Sequence, residues 1–191
     1  MKLIVGLGNP GAEYERTRHN VGFCLLDLLG SRWSIEIKQR KHQGLYGSGW
    51  YGEEKIVLLK PQKYMNLSGS SVSRALAYYK IGASDLLVVV DDMALPIGQL
   101  RLKPRGSAGG HNGLRDIIEK LGQSEFSRLR IGIGGPAYSA TDHVLGSFSP
   151  CERELIDTAL QEATKAVVCW LDEGVEETMT RFNRRAEKGE S

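Results

Sequence analysis

The stretch Leu3-Ile4-Val5-Gly6-Leu7-Gly8-Asn9-Pro10-Gly11 opens the chain with a short apolar run that breaks into a glycine-rich turn. An uninterrupted run of branched apolar residues ending at glycine is typical of a strand buried on both faces. After a polar segment, apolar residues recur at helical spacing; they are Val21, Cys24, Leu25, Leu28 and Leu29. A buried strand followed by an amphipathic helix predicts a crossover unit, and therefore an α/β fold.

The same alternation continues along the rest of the chain. Further buried strands are predicted at residues 56–60, 86–91 and 129–133, and further helices at 70–79, 112–121, 152–171 and 175–182. Residues 99–103 alternate polar and apolar side chains, which indicates a half-exposed strand and hence a mixed sheet. We therefore expect a single globular α/β domain over residues 1–183, with a central twisted mixed β-sheet flanked by helices on both faces, and a polar C-terminal tail at 184–191.

Composition narrows the class of protein. The 191 residues are 41% hydrophobic and carry a net charge of +2, which suits one globular core. The first residues enter a strand at once, and their apolar run is too short for a signal sequence or a membrane span. The three cysteines, Cys24, Cys151 and Cys169, are too scattered for a disulfide framework or a CxxC pair. We expect a cytoplasmic protein with no membrane segment.

The opening turn also satisfies the GxGxxG pattern of dinucleotide sites at residues 6–11. In that fingerprint the last glycine opens a helix whose amides hold pyrophosphate, whereas here Pro10 and the polar run 13–20 delay the helix. The acidic residue expected about 20 positions further on should end a second strand, but Asp27 falls inside the first amphipathic helix. We therefore expect no nucleotide cofactor; a simple tight turn accounts for the glycines but leaves Asn9 and His19 unexplained.

Basic residues are concentrated in the second half of the chain. Between Gln99 and Arg130 there are seven basic residues against three acidic ones. Within this segment a glycine-rich loop, residues 105–113, runs from the basic strand into a helix. Small residues let backbone amides approach a ligand, and a helix N-terminus favours anions, so a phosphate or a carboxylate could bind here. A flexible connector explains any single glycine of the loop equally well.

Five blocks of this sequence resemble, in the right order, the signature motifs of the bacterial-type peptidyl-tRNA hydrolases, and they extend over nearly the whole chain. The blocks are residues 4–11 with Tyr14 and 17–20, residues 60–61 with 64–69, residues 90–92, residues 106–114 and residues 128–134. One position departs from the pattern, because Ala94 stands where the family usually has an aspartate. Asp91, which resembles the family's catalytic carboxylate, is intact, so the departure affects a supporting role more than the activity.

The resemblance implies hydrolysis of the ester that joins a peptide to tRNA. Such chemistry near neutral pH needs a base that can deprotonate water, and histidine is the side chain best suited without adjustment. His19 follows the first strand and Asp91 ends another, so both belong to the carboxyl edge of the sheet, where they can meet. Asp91 would orient the imidazole and stabilise its protonated form, with water in place of a serine nucleophile. The sequence has no GxSxG motif.

Three asparagines lie in motifs that should converge on the same crevice. An amide both donates and accepts, so it can pair with a peptide backbone of any sequence or donate to an oxyanion. The resemblance implies a catalytic role for Asn9, which would help to distinguish peptidyl from free aminoacyl ends. The residues predicted to bind substrate are Tyr14, Tyr64, Met65, Asn66 and Asn112. Each asparagine is also a common turn residue, the tyrosines could simply cover the core, and Met65 could be packing.

A basic stripe is predicted beside this crevice, because Arg101 and Lys103 alternate onto one face of a strand. Such a stripe can follow RNA phosphates without reading bases, which suits an enzyme that accepts many tRNAs. The residues predicted to bind tRNA are Arg101, Lys103, Arg105 and Arg130. A solvated edge strand is the simpler interpretation of such charges, and either Arg128 or Arg130 could belong to an internal ion pair.

No metal site and no other cofactor are expected. His42 and His143 have no partner at ligand spacing, and His111 suits a helix entry as well as chemistry.

Two other functions remain open: a noncatalytic RNA-binding protein on the same fold, as in the related chloroplast splicing factors, and a nucleotide-dependent oxidoreductase suggested by the glycine turn. Retention of His19, Asp91 and the asparagines weighs against the first, and titration with NAD(H) and NADP(H) tests the second. We expect a monomer whose partner is peptidyl-tRNA.

Overall fold

The computed structural model describes residues 1–137 and 139–183, so the predicted tail at 184–191 lies outside the described residues. Within them, one sheet is formed by β1 (Lys2–Gly6), β2 (Gln39–Lys41), β3 (Gly44–Tyr51), β4 (Glu54–Pro61), β5 (Leu86–Asp92), β6 (Leu100–Lys103) and β7 (Ser127–Gly132). The α-helices are α1 (Val21–Trp33), α2 (Gly69–Tyr79), α3 (Asn112–Leu121), α4 (Ala140–Leu145), α5 (Pro150–Asp172) and α6 (Gly174–Phe182). Short 3₁₀ turns occur at Ala12–Tyr14, Arg18–Asn20, Met65–Leu67 and Ala83–Asp85.

The sheet is mixed, as the sequence predicted. Its strand order is β2-β3-β4-β1-β5-β7-β6. The four central strands β4, β1, β5 and β7 run parallel, while β3 pairs antiparallel with β4, β2 with β3, and β6 with β7. Because β1 has β4 on one side and β5 on the other, the chain reverses its direction of winding there, and a crevice opens at the carboxyl ends of these strands.

Helices cover both faces of the sheet, which confirms the predicted α/β fold. One apolar core lies under α1 and α5 and includes Leu25, Leu29, Ile156 and Val167. The other lies under α2 and α3 and includes Val72, Leu76, Leu114 and Ile117. Among the described residues, none of the helices combines the length and the apolar character that a membrane crossing requires.

The glycines of the opening turn allow close packing between β1 and α1. A Cβ on Gly6 would lie 2.2 Å from the carbonyl oxygen of Gly22, and a Cβ on Gly8 would lie 2.8 Å from the ring of Phe23. A Cβ on Gly22 would come within 2.5 Å of the Leu7 backbone. Only glycine permits this backbone-to-backbone approach. It holds the start of α1, and the turn just before it, against the end of β1.

Candidate active site

Three segments of the chain meet at the carboxyl edge of the sheet beside β1. They are the Arg18–Asn20 turn that leads into α1, the end of β5, and the glycine-rich loop that leads into α3. His19 is buried in the first segment, Asp91 in the second and His111 in the third. The topology therefore brings together side chains that are far apart in sequence.

His19 and Asp91 form a direct contact in this crevice. Nδ1 of His19 lies 2.7 Å from Oδ1 of Asp91. An ionised carboxylate can only accept, so Nδ1 carries the proton and donates it to Asp91. Nε2 of His19 is then the unprotonated nitrogen, free to accept a proton from water. The sequence had placed both residues at this edge, and the structure brings them into hydrogen-bond contact.

His111 contacts the same carboxylate from the other side. Its Nε2 lies 3.0 Å from Oδ1 of Asp91, while its Nδ1 accepts the backbone N–H of Leu114 at 3.2 Å. Because Nδ1 is an acceptor, Nε2 must carry the proton, so His111 is held as one neutral tautomer. The residue is thus both the N-cap of α3 and a donor to Asp91. From the sequence these two roles had been alternatives.

The two histidines determine the charge of Asp91. Burial alone would raise the pKa of its carboxyl group, but His111 and His19 more than offset that effect, and the pKa is held well below its ordinary value. Asp91 therefore stays ionised throughout the neutral range. A buried carboxylate that accepts two hydrogen bonds is fixed in position and can stabilise a positive charge on His19.

Asn9 is locked in place by Asn20, whose structural role the sequence did not reveal. The Asn9 backbone N–H donates to Oδ1 of Asn20 at 2.8 Å, and Nδ2 of Asn20 donates to the Asn9 carbonyl at 3.0 Å. The side-chain Oδ1 of Asn9 accepts the Met65 N–H at 2.8 Å. Because the oxygen is occupied, the amide nitrogen Nδ2 is the atom that remains to donate to a substrate. Its place next to His19, within the 17–20 block of the resemblance, was the signal that could have singled it out.

The remaining predicted substrate residues divide into a buried and an exposed group. Met65 is buried, with its sulfur against Gly113, where a Cβ would lie 2.7 Å away. Tyr64 and Asn66 are exposed on either side of it, and Tyr14 is half-buried in the Ala12–Tyr14 turn. Asn112, the first residue of α3, is exposed and lines a cavity of about 230 Å³ together with His19 and Asp91.

A short helix that the sequence analysis missed forms one wall of this cavity. Ala140, Thr141 and Val144 of α4 face it. The segment is anchored beside the Arg18–Asn20 turn, because Thr17 pairs with Ser147 and Arg18 donates to Glu152 at 2.9 Å. The anchors lie immediately before His19, so α4 and the Arg18–Asn20 turn are positioned together.

Ala94, the position that departs from the family pattern, also lines this cavity. Its backbone N–H donates to Oδ1 of Asp92 at 2.8 Å. The other oxygen of Asp92 accepts from Arg130 at 3.1 Å. The loop after β5 is therefore held by Asp92 and Arg130, neither of which depends on the side chain at position 94.

The predicted tRNA-binding residues occupy different environments. Arg101 is half-buried, whereas Lys103 and Arg105 are exposed, the latter 3.7 Å from Glu125. Arg130 is buried, and besides Asp92 it bonds the carbonyls of Ser107 and Ala108. Its guanidinium is thus committed largely to holding the glycine-rich loop.

Arg128 also holds the glycine-rich loop in place. It is fully buried and donates to the carbonyls of Gly106, Ser107, Ser124 and Phe126. Burial and then the neighbouring Arg130 lower its pKa to about 10, so it remains a cation at neutral pH. The possibility that one of these two arginines is tied into an internal ion pair applies to Arg130.

The three buried residues His19, Asp91 and His111 could also be considered as metal ligands. Their ligand atoms lie within 4.8 Å of one another. However, the nitrogens that face the centre of the group already donate hydrogen bonds to Asp91, and a metal would require both protons to leave. The geometry favours a hydrogen-bonded triad, and the absence of a metal stays a prediction.

The fold and the site together define a class of protein. A carboxylate-oriented histidine lies at the switch point of an α/β sheet, and within residues 1–137 and 139–183 neither serine nor cysteine is hydrogen-bonded to it. A histidine oriented in this way can take a proton from water, which is typical of hydrolytic enzymes that use water itself as the nucleophile.

Comparisons with known proteins identify the family. Residues 3–190 match the family model described as peptidyl-tRNA hydrolase. Peptidyl-tRNA hydrolase of Clostridium botulinum is 48% identical over 96% of this chain and 97% of its own length, and that of Desulforamulus reducens is 49% identical over 97% and 90%. The crystal structure of peptidyl-tRNA hydrolase from Acinetobacter baumannii superposes with a TM-score of 0.91 at 40% identity, covering 96% of this chain and 94% of the other. The chain belongs to the peptidyl-tRNA hydrolase family.

Proposed function

We propose that this protein hydrolyses the ester bond between the peptide and the tRNA of peptidyl-tRNA, with His19 as the general base. The observation that carries the proposal is the 2.7 Å contact between Nδ1 of His19 and Oδ1 of Asp91, which leaves Nε2 as the basic nitrogen beside the cavity. The enzyme thereby returns tRNA to translation. A cytoplasmic location and a monomeric state fit this role and are part of the proposal.

The proposed reaction consumes one water molecule and leaves His19 in its starting protonation state. Nε2 of His19 accepts a proton from water, and the hydroxide attacks the ester carbonyl to give a tetrahedral intermediate. When the intermediate collapses, the C–O bond to the terminal ribose breaks, and the imidazolium gives its proton to the departing ribose oxygen. The products are a peptide acid and tRNA. Asp91 stabilises the imidazolium between the two steps, as the carboxylate of a catalytic triad does.

Asparagine amides stabilise the charge that develops on the carbonyl oxygen. Nδ2 of Asn9 is oriented for this by the bond from the Met65 amide to Oδ1. Asn112 approaches from the start of α3, where the helix dipole also favours negative charge. A preorganised amide of this kind typically contributes about 10²–10³-fold to the rate. Asn66, Tyr14 and Tyr64 bind the peptide and the terminal nucleotide around this centre.

The tRNA body leaves the crevice on the side of β6. Arg101 pairs in register with Arg130, at the level of Val90, whereas Lys103 pairs with Arg128, two positions further from the carboxyl edge. Lys103 is thus about 7 Å further from the cleft than Arg101. The two cations and Arg105 follow the phosphates of the acceptor stem, and Arg130 positions the glycine-rich loop.

An assay on two substrates that differ only at the α-amino group tests the proposal. N-acetyl-aminoacyl-tRNA should be hydrolysed, and unblocked aminoacyl-tRNA should be spared. In His19→Asn the rate should fall by about 10²–10⁴-fold, the usual contribution of a general base, while tRNA binding is kept. A protein that binds tRNA but releases nothing from either substrate would instead be a noncatalytic RNA-binding member of the family.

A further inference from the structure

A cluster of cations lies on the other side of the crevice from β6, at the turn between β2 and β3. Arg40, Lys41 and Lys63 line a cavity of about 380 Å³ there, together with Gln43, Gly44 and Gln62. Arg74 of α2 lies close enough to act on the same turn, because burial, Lys41 and Arg74 together lower the pKa of His42. We name Arg40, Lys41, Lys63 and Arg74 the turn cations.

The turn cations lie together without an acidic partner among the described residues. Elsewhere Lys60 pairs with Asp27, Arg130 with Asp92 and Arg153 with Asp157. In the part of the chain that the structure describes, none of the turn cations forms an ion pair with a carboxylate, and no acidic residue lines their cavity. Lys41 instead lies 3.4 Å above the ring of Tyr78. Like charges gathered without counter-charges raise the local potential and favour an anionic ligand.

A groove leads from Asn9 to this surface. Asn9 and Asn20 line a cavity of about 950 Å³ whose far side reaches Gln62. Gln62 also lines the cavity of the turn cations. The groove therefore follows the carboxyl edge of the sheet away from β6, on the side opposite to the predicted tRNA path. At the ester, tRNA and peptide must diverge, so this side is left for the peptide.

We propose that the turn cations bind acidic side chains of the peptide moiety and make acidic peptides preferred substrates. This inference rests on the proposed function, because it assigns the groove to the peptide of the same ester. The contact is with the carboxylates of Asp and Glu residues upstream of the esterified residue. It involves only charge attraction and hydrogen bonding, with no further chemical step.

The sheet geometry sets the distance at which a peptide charge is recognised. β2 is three strand positions from β1, which corresponds to about 14 Å. An extended peptide advances about 3.3–3.6 Å per residue, so about four residues separate the ester from the turn cations. A carboxylate at the fourth or fifth residue, counted from the ester, should therefore be recognised, and one at the first residue should not.

The test uses N-acetylated hexapeptides esterified to one tRNA, with Glu, Gln or Lys at the fifth residue from the ester. The wild-type kcat/KM should be about three- to tenfold higher for Glu than for Lys, as expected for one or two exposed ion pairs. The preference should be lost in high salt, since the Debye length is about 3 Å at 1 M. In the double variant Arg40→Glu/Lys41→Glu two cations remain against two new carboxylates, so the preference for Glu should disappear. The neutral double variant Arg40→Gln/Lys41→Gln keeps Lys63 and Arg74 and should show a reduced preference for Glu.

Two comparisons make the outcome decisive. Lys55→Glu makes one such charge reversal at the amino end of β4, remote from the groove, and should keep the wild-type preference for Glu. N-acetyl-aminoacyl-tRNA, whose single residue cannot reach the turn, tests the proposed function itself. If it is cleaved while the hexapeptides show no charge preference, the inference about the turn cations is wrong and the function stands. If the double variants slow every substrate equally, the surface contacts RNA, and the peptide assignment is likewise wrong.

Discussion

Nε2 of His111 donates to Oδ1 of Asp91 at 3.0 Å, the same carboxylate oxygen that Nδ1 of His19 contacts at 2.7 Å. The two histidines thus compete for one acceptor. A hydrogen bond from a neutral donor withdraws charge from the carboxylate, so His111 limits how strongly Asp91 supports a protonated His19. We therefore propose that His111 acts through Asp91 as a positioning residue for His19.

The first prediction separates this role of His111 from its role as a helix cap. In His111→Asn the side chain remains an excellent N-cap but is too short to reach Asp91. Without the competing donor, Asp91 holds the imidazolium more firmly, so the acid limb of the profile of kcat/KM against pH should move to higher pH. His111→Ala should show the same movement and, in addition, lose about 0.5–2 kcal/mol of stability from the missing cap. An unmoved acid limb in both variants would show that His111 serves the helix alone.

The second prediction concerns the charge of Asp91. Asp91→Asn removes the carboxylate, so the imidazolium of His19 loses its support, turnover should fall by about 10²-fold or more, and the acid limb should move to lower pH. KM should change much less than kcat, since Asp91 is almost fully buried behind His19 and His111. Unchanged turnover between pH 6 and 8 would remove Asp91 from the mechanism.

The third prediction uses the same variant, Asp91→Asn, and concerns the stability of the folded protein in acid. The folded-state pKa of Asp91 is held below its ordinary value, so its contribution to stability is fully present above about pH 4 and is lost as the pH falls further through the folded-state pKa. The free energy of unfolding of the wild type, measured with urea, should decline below pH 4 more steeply than that of Asp91→Asn. Parallel curves would mean that Asp91 has the same proton affinity in the folded and unfolded chain.

The sequence predicted the central strands of the sheet and the helices that cover its two faces, because those elements carry long, strongly patterned apolar runs. It missed the β2–β3 hairpin for a physical reason. Gly47 and Gly49 interrupt the alternation expected of a strand, yet they are required there: a Cβ on Gly47 would lie 2.3 Å from the Glu36 carbonyl, and one on Gly49 2.6 Å from Ile35. Tertiary packing of the preceding segment, rather than local propensity, forms this strand.

The sequence predicted that His19 and Asp91 would meet at the carboxyl edge of the sheet, because each follows or ends a buried strand, and they lie in contact there. Site residues were not predictable where the role depends on a contact across the fold. Asn20 resembles any polar residue before a helix, and its two bonds to the Asn9 backbone exist only because Gly6 and Gly22 bring β1 and α1 together. His111 could not be assigned before Asp91 was placed beside it.

The fourth prediction concerns the lock between Asn20 and Asn9. Asn20→Ala removes both hydrogen bonds to the Asn9 backbone and should lower kcat by at least about tenfold, because the oxyanion donor is no longer fixed. Preference for blocked over unblocked aminoacyl ends should weaken as well. Asn183 offers a matched control, since it forms the same pair of bonds with the Leu102 backbone, at 2.6 and 2.8 Å. Asn183→Ala should lose comparable stability yet keep kcat and selectivity on a minimal substrate, and equal catalytic losses in both variants would point to general loosening.

The last prediction tests whether the basic residues of β6 bind the tRNA body. Lys103→Ala should weaken tRNA binding and flatten the dependence of log affinity on log salt by about 0.7–0.9, the change expected for one lost phosphate contact. The loss should be similar across different tRNAs, because phosphate contacts position RNA without reading its sequence. A blocked amino acid esterified to a short 3′ fragment should be cleaved almost equally by the variant and the wild type, since Lys103 lies on the far part of β6. Arg101→Ala, closer to the cleft, should behave in the same way on full tRNA with a larger effect on the fragment. If Lys103→Ala loses activity equally on the fragment and on full tRNA, the stripe belongs to the catalytic cleft, and the assignment of β6 to the tRNA body is wrong.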